Sequence, residues 1–68
     1  MTVELNGEPV ELESSATVAA AVEIAAAAHD ARGIAVAVDG EVVPRSAWDA
    51  TPLAEGQRVE VLGAIQGG

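Results

Sequence analysis

The sequence predicts an α+β domain in which one main helix packs across one face of a sheet of about five strands. Three observations predict it. Two hairpin signals, Asn6-Gly7 and Asp39-Gly40, each separate short apolar runs. A single alanine-rich stretch repeats its apolar residues at helical spacing between them. The remaining apolar runs alternate or are too short for a second helix, so the one helix is the only element that can cover the sheet.

The elements follow in order. Thr2–Leu5 reads as a strand with Val3 and Leu5 on one face. Asn6-Gly7 suits a type I′ turn, in which both central residues need a positive φ. Val10 and Leu12 then alternate with Glu11 and Glu13 to give the antiparallel partner strand. Thr17 reads as a helix N-cap, its hydroxyl placed to accept an unpaired backbone N–H. From there Val18, Ala21, Val22, Ala25 and Ala28 form a stripe that Ile24 widens. The helix fades over His29–Arg32, and Gly33 is a natural stop. Ile34-Ala35-Val36-Ala37-Val38 reads as a buried strand, and Glu41-Val42-Val43 as its short hairpin partner, ended by Pro44, which has no N–H to give a ladder. Ser46-Ala47-Trp48-Asp49 reads as a turn or one helical turn, Thr51-Pro52-Leu53 and Glu55-Gly56 as connectors, and Arg58–Leu62 as the last strand. Residues 1–63 make the domain, and residues 64–68 a flexible carboxyl-terminal tail.

Composition narrows the function. Half of the 68 residues are apolar, too many for a disordered chain, but many are alanine and Trp48 is the sole aromatic residue. The packing therefore falls to Val, Leu and Ile, with Trp48 read as a core plug. The absence of cysteine excludes disulfides and thiolate chemistry. Eleven acidic residues against Arg32, Arg45 and Arg58 give a formal charge of -8, which opposes nucleic acids and anionic lipid and suits docking on basic partners. Val18–Ala28 is interrupted by Glu23 and too short to span a bilayer, and Met1–Leu5 carries no basic region of the kind a secretory leader needs. The expectation is a cytoplasmic protein, monomeric when free.

No catalytic set is visible. His29 is the only histidine and stands at the predicted helix end, where a polar or cationic group suits the dipole. One histidine among scattered acids makes neither a base with its partners nor a metal site, and the glycines fall singly at turns rather than in a phosphate loop. The expectation is no enzyme, no metal and no bound cofactor.

The tail is where chemistry remains possible. Ala64-Ile65-Gln66-Gly67-Gly68 follows the last strand, and extended it reaches roughly 17 Å, enough to enter a cleft in another protein. Gly67 and Gly68 have no Cβ, pass a constriction that other residues would block, and leave the α-carboxylate open to activation.

The Asn6-Gly7 hairpin, the Thr17-Val18 helix start, Ile34–Val38, Val42-Val43-Pro44-Arg45, Trp48, Leu53, Gly56 through Val61 and the Gly67-Gly68 end together resemble the ThiS family, the small sulfur carriers of bacterial thiamine biosynthesis. Val43-Pro44-Arg45 with the nearby Trp48 is the most discriminating part. Asp39-Gly40 stands where that family often has Asn-Gly, and Gly56-Gln57 where it often has Gly-Asp. The resemblance implies a ubiquitin-like β-grasp fold, whose five-stranded sheet is mixed. It implies a protein cosubstrate whose Gly68 carboxylate is adenylated by a partner enzyme using ATP and magnesium. Sulfur from a cysteine desulfurase system then converts it to a thiocarboxylate, which serves a thiazole synthase. Gly68 would carry the sulfur, Gly67 give clearance, and Ile65 and Gln66 anchor the tail in the partner's groove. The alternatives are a sulfur carrier for molybdopterin or cysteine synthesis, and a ubiquitin-like interaction module or modifier.

Overall fold

The computed structural model describes residues 1–25 and 33–63. Strands β1 (Thr2–Leu5) and β2 (Glu8–Glu11) precede helix α1 (Val18–Ala25). Strands β3 (Ile34–Val38) and β4 (Glu41–Val43), a 3₁₀ helix (Arg45–Ala50) and β5 (Arg58–Gly63) follow. The sheet order is β2-β1-β5-β3-β4. β5 lies in the middle, parallel to β1 and antiparallel to β3, and both hairpins are antiparallel. This is the mixed, one-helix sheet expected of a β-grasp.

Both hairpin turns have the predicted backbone. Asn6 and Asp39 each have φ of 51°, followed by Gly7 at 88° and Gly40 at 84°. Two successive left-handed residues match the twist of the flanking strands. Glycine takes the second position at no steric cost, and Asn or Asp tolerates the first better than other side chains.

The core lies between α1 and one face of the sheet. Val3 and Leu5 of β1, Val36 of β3, and Val59 and Val61 of β5 point inward by the period of two. Val18, Ala21 and Val22, spaced i, i+3 and i+4, meet them from the helix. Ala21 is fully buried, and its small side chain lets the helix approach the sheet closely. Each buried valine contributes about 1.5–3 kcal/mol relative to exposure. The start of α1 is held by backbone rather than by Thr17's hydroxyl. Thr51 O accepts from Val18 N at 2.9 Å, Ala16 O accepts from Leu53 N at 3.0 Å, and Thr17 bridges to Pro52. The connector after the 3₁₀ helix thus caps the helix, a long-range partner that a local capping rule does not see.

Trp48 closes the end of the core. It is buried, and its indole N–H donates to Val43 O at 3.0 Å. The Arg45 guanidinium carbon lies 5.2 Å from its ring centroid, a cation–π distance. Leu53 is buried beside it in the same cluster.

Two expectations change. The β3 run was expected to be buried, yet Ala35 is exposed and only Val36 is fully buried. One helix covers one face, so alternate residues of β3 turn to the open side, where they are small. Ile24 was expected to widen the helix's apolar stripe and is instead 47% exposed. It lies beyond the edge of the stripe set by Val18, Ala21 and Val22. His29 and Arg32 lie outside the described residues. Among the described residues no helix is long and apolar enough to cross a membrane.

Candidate functional site: the carboxyl-terminal strand and the open sheet face

The candidate site residues Ile65, Gln66, Gly67 and Gly68 lie outside the described residues. The structure does show what they are attached to. They follow β5, the middle strand, which has β1 on one side and β3 on the other. β3 holds it to the end, with Ala35 opposite Leu62 and Ile34 opposite Gly63. On the other side the β1 register runs from Glu4 opposite Arg58 to Leu5 opposite Val59. There Asn6 N donates to Val59 O at 2.9 Å, and the chain turns into β2.

The face of the sheet away from α1 is divided. Its β3-β4 part and the end of β5 are apolar, with Glu60 of β5 standing opposite Ala37 at their border. Leu62 is 65% exposed and sits opposite Ala35, while Val42 is 72% exposed and sits opposite Ala37. Leu62 is two residues from Ala64, so this patch adjoins the root of the tail. The other part is charged. Glu4, Arg58 and Glu60 line a shallow depression together with Asp39, Gly40 and Gly56. The Arg58–Glu4 pair there, at 3.6 Å, has both side chains largely in solvent, and pairs of that kind add little stability.

A cation-binding cluster is not present among the described residues, which contain no group of three or more His, Asp or Glu side chains able to hold a metal ion. The sequence singles out residues 64–68, which lie outside the described residues, and names no residue of the open-face patch. Val42 and Leu62 are far apart in sequence and are brought to one face only by the β5-β3-β4 strand order.

A model of the ThiS family matches residues 3–68. The chain is similar to the crystal structure of thiamine biosynthesis protein ThiS from Geobacter metallireducens, at 33% identity, with 100% of each chain covered and a TM-score of 0.78. It is also similar to an NMR solution structure of a thiamine biosynthesis protein from Geobacter metallireducens, at 35% identity, covering all of this chain and 88% of that one, with a TM-score of 0.68. Among curated proteins none matches the chain. The family match spans nearly the whole sequence, and the solved relatives share both its fold and about a third of its residues; the chain belongs to the ThiS family.

Proposed function

We propose that this protein is a cytoplasmic sulfur carrier of thiamine biosynthesis, with Gly68 as the residue that carries the sulfur. The observation that supports this most is the family match running to Gly68, with Gly67-Gly68 at the end of a segment that continues from the central strand. The Gly68 carboxylate attacks the α-phosphorus of ATP on a partner adenylating enzyme, with magnesium, and pyrophosphate leaves. A persulfide sulfur supplied by a cysteine desulfurase system displaces AMP from the acyl carbon. A thiol then cleaves the acyl disulfide and leaves a thiocarboxylate, which gives its sulfur to a thiazole synthase. Adenylation converts a poor acyl donor into one with a good leaving group. All catalytic groups belong to the partners, and the chain supplies a carboxylate, its reach and a docking surface.

The open-face patch around Leu62 and Val42 docks on the adenylating enzyme. It is apolar, it adjoins the tail root, and the acidic residues beside it complement a basic rim on the partner. The reading is tested by pyrophosphate release from ATP in the presence of the adenylating enzyme. Release is expected to depend on this chain, and carrier-independent release would count against it. Val42→Glu places a charge in the patch without touching the core. It is expected to raise the apparent KM for the carrier about tenfold, the equivalent of 1.4 kcal/mol, while leaving the thermal midpoint nearly unchanged, as exposed substitutions do. A KM equal to that of the unaltered chain would remove the patch from the docking surface.

A further inference from the structure

Asn6 does more than turn the first hairpin. In a parallel ladder the residue whose N–H donates to Val59 O would accept, through its own carbonyl, from Val61 N. At Asn6 the positive φ turns the backbone towards β2, and the side chain takes over. Asn6 Oδ1 accepts from Val61 N at 2.8 Å, and Asn6 Nδ2 donates to Val61 O at 3.2 Å. The side-chain amide stands in for the next peptide group of β1, so both backbone polar groups of Val61, which stands opposite Val36 of β3, bond on its β1 side.

We propose that Asn6 is a positioning residue for the carboxyl-terminal segment, its amide clamping Val61 and thereby fixing the end of β5 from which residues 64–68 depart. The proposal rests on the carrier reading only for its kinetic consequence. A loosened Val61–Gly63 no longer presents Leu62 and the tail root in one arrangement, and binding must then pay the entropy of ordering them. The effect belongs in KM, since the bound complex has the same reacting groups.

Asp39 supplies the matched comparison. It occupies the same left-handed position in the second hairpin, and its carboxylate grips the opposite end of β5, accepting from Arg58 N at 2.9 Å. Asn6→Gly and Asp39→Gly both keep the turn and remove the side-chain bond. Asn6→Asp keeps the acceptor for Val61 N but turns an oxygen towards Val61 O. Hydrogen exchange in the free chain and steady-state adenylation are measured for all of them. Asn6→Gly is expected to speed exchange at Val61 N–H roughly tenfold relative to Asp39→Gly, as loss of a local bond allows. Its apparent KM is expected to rise by a similar factor with kcat unchanged, and Asn6→Asp is expected to move both quantities in the same direction. Equal exchange at Val61 in Asn6→Gly and Asp39→Gly would overturn the clamp. A faster Val61 exchange with no change in KM would overturn the positioning role. If the unaltered chain is not adenylated, the carrier reading fails, and the exchange comparison still decides the clamp.

Discussion

Trp48→Ala is expected to lower the stability of the domain by about 3–5 kcal/mol, the range for truncating a buried large aromatic residue. The ring is 8% exposed and closes the core where β4 meets the 3₁₀ helix. Its loss opens a cavity, deprives Val43 O of the indole donor and removes the surface on which Arg45 rests. A domain of this size has a total stability of roughly 3–10 kcal/mol, so the substitution removes much of it. At about 4–8 °C per kcal/mol for a small domain, the thermal midpoint should fall by well over 10 °C. Trp48→Phe keeps most of the volume but loses the N–H, and should cost less. Circular dichroism melts of the three chains check this, and equal midpoints for Trp48→Ala and the unaltered chain would place the ring outside the core.

Removal of Gly68 should act in the opposite way, with no effect on folding and complete loss of sulfur loading. Among the described residues the buried cluster runs to Val61, and a glycine has no side chain to add to a core. A truncated chain is therefore expected to melt at the same temperature as the full one. If Gly68 is the residue activated, the truncated chain ends one residue short of the partner's reacting centre and its carboxylate is expected to stay unactivated. Mass spectra of the two chains after the full reaction distinguish them, and equal sulfur gain in both would show that the carboxylate of Gly68 is not the acceptor.

Local features of the sequence predict the structure where the physics is local. Asn6-Gly7 and Asp39-Gly40 announce turns because a positive φ at two successive positions admits few residue types, and both turns are present. Val18, Ala21 and Val22 announce the buried helix face by spacing alone. Trp48, the single aromatic residue, is in the core as expected. What was missed depends on pairings across the chain. The parallel β1–β5 contact follows from no local pattern and entered through the family resemblance. The same holds for Thr51 capping α1 and for Asn6 gripping Val61, since each joins segments far apart in sequence. The mixed burial of β3 was hidden because alanine at 35 and 37 keeps the run apolar while facing the open side. The tail stands out because a glycine has no side chain to pack, and the patch beside its root becomes visible only when the strand order places Val42 and Leu62 on one face.

On the proposed function, Gly68 leaves its partners as a thiocarboxylate. The most direct test is the intact mass of the full chain after incubation with ATP, magnesium, the cognate adenylating enzyme and a cysteine desulfurase sulfur source, followed by fragmentation to locate any change. The account predicts a mass increase equal to the exchange of one oxygen for one sulfur, located on Gly68 and dependent on ATP. An unchanged mass under conditions in which the adenylating enzyme is active, or sulfur located on any other residue, would contradict it.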